Sequence, residues 1–448
     1  MNLPMSESRP SGSFVPTLVI LLFAPLACFK PDDDGGDEVA ATEGESGTDD
    51  DDTSTGDVET GDSTSADPTD TDSTDSDPTD TDSTTGDPPA CNDGNADPGE
   101  LCLATTPTES TLPITGFRMD YGRFGLHPGI AVVGGPNAPM AVAILPGKGD
   151  RTFEAPQMVA LDSFATSIDV DDMDDDGDHD LVTSGGLLCS RMNDGMGGWE
   201  FPDMLQPAGG VAIGRVQLGQ FDGNAPLDAV WAEGYNTRWA RGNAFSGWTF
   251  GTEGWSQFTG GDFWVEVTEW GFDGDGFTDL AVTSQWEAKV SITRGMGNAT
   301  FTEVGQVPIC EAGSCDITEL HVDDVDGDDN PDLIASFADG ISVVLGNDDG
   351  TFGGFELHAF PGADYTTSGD VDNDGDVDLL VASATTGDLG LFLGDGTGAF
   401  AEPMIFATPS DTLRTAAMFD LDEDGAKELV TVYNYDGAGW VGVFEATP

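Results

Sequence analysis

Four segments of the chain set acids at alternate positions in one frame. DMDDDGDHDLV carries Asp172, Asp174, Asp176 and Asp180, and DVDGDDNPDLI carries Asp324, Asp326, Asp328 and Asp332. DVDNDGDVDLLV carries Asp370, Asp372, Asp374 and Asp378, and DLDEDGAKELV carries Asp420, Asp422, Asp424 and Glu428. Carboxylates at alternate places of a tight turn converge on one point, the arrangement that calcium needs for its roughly six to eight hard oxygen ligands. Acids one, three and five supply three ligands, Gly177 permits the bend, the next residue offers its carbonyl, and the ninth residue closes the site. Magnesium prefers a strict octahedron with several waters, and zinc would call for His or Cys, which this set lacks. An EF-hand would place Glu at position twelve, where Thr183, Ala335, Val381 and Thr431 stand instead. Without a cation these carboxylates would repel one another.

Two further copies are degraded. FDGNAPLDAV keeps Asp222, Asn224 and Asp228 behind Gln220, and FDGDGFTDLAV keeps Asp273, Asp275 and Asp279 behind Gly271. Lacking the first carboxylate, both are expected to bind metal most weakly. Asp329 holds the sixth position where the other complete loops have Gly, so that loop is expected to be the strained one.

These loops must be carried by a repeat. The ninth-position acids at 180, 228, 279, 332, 378 and 428 lie 48, 51, 53, 46 and 50 residues apart. After each loop comes a β-rich stretch and a Gly-rich turn ending in an aromatic: NDGMGGW, GNAFSGW, RGMGNATF, LGNDDGTF and LGDGTGAF. One more such turn, LPGKGDRTF ending at Phe153, precedes the first acidic loop, so a seventh unit begins upstream with His127–Val133 in place of the loop's DLV. Each unit has room for about four short strands, and seven such sheets around an axis form an all-β, seven-bladed β-propeller. The last unit is one strand short, and residues 109–114 are expected to complete it.

The combination DxDxDGxxDL followed by a GxGDGTF-like turn resembles the FG-GAP or VCBS repeat, found in the head of integrin α-subunits and in many bacterial surface proteins. The resemblance spans residues 108–448. It implies a propeller with calcium loops between the first and second strands of most blades, on one face of the ring, and it names no ligand.

Upstream, residues 13–27 form an apolar run too short to span a membrane, ending at Ala27-Cys28 in a pattern that resembles a bacterial lipoprotein box. Residues 1–27 are read as the signal peptide and Cys28 as the lipidated, membrane-anchored residue of an exported protein. Residues 28–90 are Asp, Thr, Ser, Gly and Pro in near-repeats, with no basic residue between Lys30 and Arg118, and are expected to be a disordered acidic linker. Residues 91–107 are a short segment bracketed by Cys91 and Cys102, which are expected to pair in an oxidising envelope. Cys310 and Cys315 are expected to staple a loop, leaving Cys189 as a buried free thiol.

The balance of 84 acidic against 14 basic residues, a formal charge of −70, excludes nucleic acid and anionic membrane surfaces as partners. Catalysis has little support: His127, His179, His321 and His358 show no neighbouring nucleophile, and neither GxSxG nor HExxH occurs. The expectation is a monomeric binding or adhesion module displayed at the cell surface, outer-membrane-anchored or else secreted, in which calcium stiffens a platform for an extracellular protein or glycan. An extracellular polysaccharide hydrolase or lyase, with acids outside the calcium frame, and a purely structural envelope protein are the alternatives. Trp231, Trp239, Trp255, Trp264, Trp270 and Trp286 cluster in the third and fourth units, as inter-blade core or as a docking patch.

Overall fold

A computed structural model describes residues 27–29, 101–104, 106–200 and most of 201–447. The expected acidic linker and the Cys91–Cys102 bridge lie outside the described residues.

Seven antiparallel sheets follow one another. Blade 1 comprises Arg118–Arg123, His127–Val133, Ala141–Gly147 and Gln157–Ala160. Blade 2 comprises Ala165–Asp171, Asp180–Gly185, Leu188–Asn193 and Trp199–Glu200, with Met204–Leu205 also pairing its third strand. Blade 3 runs from Ile213–Gly219 through Asp228–Glu233 and Asn236–Asn243 to Gly247–Thr249, and blade 4 from Phe263–Thr268 through Asp279–Ser284 and Lys289–Gly295 to Phe301–Pro308. Blade 5 has Ile317–Asp323, Asp332–Phe337, Gly340–Gly346 and Phe352–Ala359; blade 6 has Tyr365–Gly369, Asp378–Ala382, Asp388–Phe392 and Met404–Ala407. Blade 7 takes Leu413–Phe419, Glu428–Tyr435 and Ala438–Phe444, and its fourth strand is Thr108–Leu112 from the start of the domain, with Thr108 opposite Val443. The missing strand is therefore supplied where the sequence placed it, and the Tyr433 hydroxyl donates to Glu109 across this closure. First strands of successive blades touch in turn, and blade 7 returns to blade 1, closing the ring.

Burial explains the composition of each strand. Second strands such as Asp332–Phe337 are buried along their whole length because a neighbouring blade covers each face, so they read as apolar runs rather than alternations. Outer strands such as Phe301–Pro308 face water and are polar. The apolar core is divided into seven clusters, one at each interface between consecutive blades. The aromatic that ends each Gly-rich turn belongs to this scheme. Phe301 of blade 4 packs edge-on against Phe221 of blade 3 at 5.5 Å between ring centroids, and Phe352 of blade 5 against Phe272 of blade 4 at 5.4 Å. The turn of one blade is thus seated on the acidic loop of the blade before it.

A small extra sheet joins Ala27–Phe29, Leu101–Leu103 and Ala446–Thr447, with the backbone of Cys28 opposite that of Cys102. Leu101 and Leu103 are fully buried in the cluster between blades 6 and 7, so the packed domain extends ahead of residue 108. Cys310 and Cys315 form a disulfide, and Cys189 is buried with a free thiol whose pKa burial pushes up. Trp231 and Trp239 are core residues between blades. The side chains of Trp255, Trp264, Trp270 and Trp286 lie outside what is described.

Candidate metal centres

Every acidic loop joins the first strand of its blade to the second, and the ninth-position acid opens the second strand. That acid is buried and clamps backbone. Asp180 Oδ2 accepts from Met173 N at 3.0 Å and its Oδ1 from Asn193 N at 2.7 Å, tying the loop to the end of the third strand. Asp332 accepts from Val325 N and Gly346 N, and Asp378 from Val371 N and Gly394 N, in the same way. The degraded loops keep the clamp: Asp228 holds Phe221 N and Gly242 N, and Asp279 holds Phe272 N at 2.7 Å and Gly295 N at 2.6 Å.

The first acid folds the loop over itself. Asp172 accepts from Asp176 N and Gly177 N, Asp324 from Asp328 N and Asp329 N, and Asp370 from Asp374 N and Gly375 N. Two positions, the fourth and the sixth, then take left-handed backbone. Gly177, Gly375 and Gly425 lie at φ of 95°, 95° and 101°, and Asp175, Asn373 and Glu423 at 67°, 58° and 63°. In the blade 5 loop the pattern is exchanged, with Gly327 at the fourth place (φ 69°) and Asp329 at the sixth (φ 68°). Asp329 is therefore no special burden: each complete loop carries one non-glycine left-handed residue, and the loops differ only in where it sits.

The third acid is the one left waiting. Asp174, Asp326, Asp372 and Asp422 each present a buried Oδ1 with no hydrogen-bond partner. Ligand oxygens of Asp172, Asp174 and Asp180 lie within 4.8 Å of one another, as do those of Asp324, Asp326 and Asp332, of Asp370, Asp372 and Asp374, and of Asp420, Asp422 and Glu428. Burial first, then neighbouring acids, push the carboxyl of Asp372 up to about 7. Burial raises Asp180 and Asp332 to about 7 and Asp378 to about 8, against the pull of their backbone donors. Buried carboxylates without a counter-charge are costly, and a divalent cation at the shared point answers both the orphaned oxygens and the repulsion. In blade 6 the fifth acid, Asp374, joins the group in place of the ninth, whereas in blades 2 and 5 the fifth acid is outside it, Asp176 Oδ1 accepting from Asp178 N and Asp328 Oδ1 from Asn330 N.

The degraded loops differ. Asp222, Asn224 and Asp275 lie outside the described residues. Asp273 pairs with Arg294, and Gly271 is held at φ 72° with Phe277 O only 2.4 Å from where a Cβ would be, so a first acid has no room there.

One arrangement has no counterpart in the sequence reading. Glu319 of blade 5 accepts from Arg118 of blade 1 at 3.2 Å and from Arg215 of blade 3 at 2.6 Å. Blades so far apart in the ring meet only at its axis, so a charged layer fills the centre. Arg118 also lies over the Tyr365 ring of blade 6 at 5.4 Å. Beside this layer Asp120 Oδ2 accepts from Val170 N and Asp169 Oδ2 from Leu218 N, each linking one blade to the next. Burial raises both carboxyls, that of Asp169 to about 6. His321, read as lacking a nucleophile nearby, has its Nε2 2.6 Å from Ser368 Oγ, which donates to Asp323. With the serine proton directed to the carboxylate rather than to the imidazole, and Ser368 6% exposed, this is an inter-blade link and not an activated nucleophile.

Fold and loops together define a β-propeller with metal-ready carboxylate turns in four of its blades. A model of the FG-GAP-like repeat matches residues 271–335 and 370–431, so the chain carries such repeats in blades 4 to 7. Among solved structures it is similar to an Agrocybe aegerita lectin described for specific recognition of non-reducing terminal N-acetylglucosamine, at 18% identity over 66% of this chain and 81% of that one, with a TM-score of 0.51. It is also similar to the S. cerevisiae core factor, at 11% identity over 76% of this chain and 61% of that one (TM-score 0.51), and to BBS1N in complex with ARL6DN, at 10% over 75% and 95% (TM-score 0.50). At these identities the likeness is one of fold. No curated protein sequence matches the chain.

Proposed function

We propose that this chain is a calcium-stiffened propeller displayed at the cell surface as a binding or adhesion module for an extracellular protein or glycan. The observation that carries the calcium reading is the orphaned Oδ1 of the third acid in all four complete loops, each beside two further carboxylates. The donors are all carboxylate oxygens, which suits calcium over zinc. Calcium would supply charge neutralisation and rigidity, while the platform itself is built by the protein. A glycan is a reasonable ligand class because a lectin with a specific sugar site shares the fold. Display at the surface rests on the run at 13–27 ending at Ala27-Cys28, with Cys28 as the lipid-bearing first residue.

The test compares thermal unfolding and glycan and protein binding screens in calcium and in chelator. Each occupied site stabilises the fold by about 2.7 kcal/mol at a hundredfold excess over Kd. Chelator is expected to lower the melting temperature and to weaken any ligand found. An unchanged melt after verified removal of metal overturns the calcium reading. Mass spectrometry of the mature N-terminus decides the anchor separately.

A further inference from the structure

Blade 1 is the one unit without an acidic loop, and it meets blade 7 where the ring closes. From its turn between third and fourth strands Arg151 extends into the blade 7 loop. Arg151 Nε lies 3.0 Å from Asp422 Oδ2 and 2.9 Å from Glu428 Oε1, and its Nη2 lies 2.7 Å from Asp424 Oδ2. Three of the four acids at the loop's first, third, fifth and ninth positions therefore share one guanidinium. Glu428 Oε1, which takes Arg151, is the counterpart of the oxygen that in blades 2 to 6 accepts a backbone N–H at the end of the third strand. Two more basic groups of blade 1 join: Arg123 and His127 pair with Glu423 at 2.5 and 3.2 Å.

The place of Arg151 is unusual in its backbone too. It sits at φ 64°, whereas the described equivalents in the turns of blades 2, 5 and 6 are glycines, Gly197, Gly350 and Gly398, at 86°, 74° and 77°. In blade 5 that position faces the preceding loop as Arg151 does: a Cβ on Gly350 would lie 3.3 Å from Asp273 Cβ in the loop of blade 4, whereas one on Gly398 would meet Leu345 of blade 5 and one on Gly197 nothing within 4 Å. A left-handed arginine costs something that glycine does not, and it is held here with its head group among the acids. In the loops of blades 2, 5 and 6, no basic side chain among the described residues pairs with the first, third, fifth or ninth acid.

We infer that Arg151 is a built-in cation that takes the place of the metal at the closing seam, so that blade 7 holds to blade 1 without calcium while blades 2, 5 and 6 load it. A fixed guanidinium removes the excess negative charge that would draw a divalent ion and ties up oxygens from three of its ligands. Asp420 and Asp422 each still present a buried oxygen without a partner, so the remainder of a metal site survives behind the arginine.

This inference rests on the calcium reading, and the experiment separates the two. Calcium stoichiometry is counted by native mass spectrometry and titration calorimetry in the full chain, in Arg151→Gly, which installs the residue that the equivalent turns use, and in Lys148→Gln. Lys148 belongs to the same turn, and among the described residues its side chain hydrogen-bonds only to Thr152. The expected result is three tight ions in the full chain and in Lys148→Gln, and four in Arg151→Gly. In chelator, Arg151→Gly should melt below the unaltered protein, and calcium should restore more of its melting temperature than it adds to the unaltered chain. Four equally tight ions before substitution, or three both before and after it, overturn the arginine's role and leave the calcium reading intact. No tight ion in any of the three proteins overturns both.

Discussion

Replacing Asp372 by Ala should change the stability of the protein in opposite directions with and without calcium. Asp372 is 1% exposed, and its Oδ1 has no partner. Its neighbours Asp370 and Asp374 add to the burial that raises its carboxyl. In chelator near pH 8.5, above its raised pKa of about 7, the acid is charged and poorly compensated, and an unsatisfied buried group of this kind costs about 1–3 kcal/mol. The substitution removes that cost and should stabilise the metal-free protein. With calcium at a thousandfold excess over Kd, one site contributes about 4.1 kcal/mol, which exceeds the gain, so the same substitution should destabilise. Urea unfolding followed by tryptophan fluorescence, run in both media at that pH, gives both signs. Stabilisation in both, or destabilisation in both, refutes the reasoning that Asp372 is a metal ligand held in place against its own burial.

Two other outcomes follow from the same geometry. Asp279→Asn in blade 4 should destabilise by about 3 kcal/mol to the same extent in calcium and in chelator, because an amide can accept from only one of Phe272 N and Gly295 N and sets a second donor against the other; a calcium-dependent loss in the same urea unfolding would argue against the clamp. In chelator, stability should fall as pH rises from about 4 to about 8. The folded carboxyls of Asp180, Asp332 and Asp378 sit at about 7, 7 and 8 against about 3.9 unfolded, so the native state binds more protons across that window. Saturating calcium should reverse the slope, since protons then compete with the metal, and melts across the pH range read both slopes.

Much of this was legible from the chain. A loop of nine residues and a turn of seven are local, and their period near 50 marks each blade without any knowledge of distant contacts. The closing strand could be placed because blade 7 lacks its own. The axial layer could not: Glu319 meets Arg215 and Arg118, which are 104 and 201 residues away, and nothing local says which inner strands face each other across the ring. Arg151 was hidden for the same reason, since its partners are 271 to 277 residues distant. The left-handed fourth position did leave a trace. Setting DVDGDD beside DMDDDG and DVDNDG shows Gly327 in the place of Asp175 and Asn373, and Asp and Asn are the residues that tolerate that conformation best after glycine.

The unequal fates of the acids within one motif follow from their separate jobs. In blades 2 to 6 the ninth acid satisfies two backbone donors, one in its own loop and one at the end of the third strand, and in blade 7 Glu428 satisfies the loop donor Leu421 N and Arg151, so losing it leaves buried donors whether or not metal is present. All six loops retain it, including the two that have lost the first acid. The first acid folds the turn and the third presents a buried oxygen to the shared point, and two of the loops also have an arginine at hand: Arg294 beside Asp273 in blade 4 and Arg151 in blade 7. In a chain with only 14 Lys and Arg residues, the placing of Arg123, Arg151 and Arg294 against acidic loops is a concentrated use of scarce positive charge. The loop is therefore tied to its blade through the ninth acid, and on the calcium reading proposed above the remaining carboxylates are held together by the metal or, in blade 7, by Arg151.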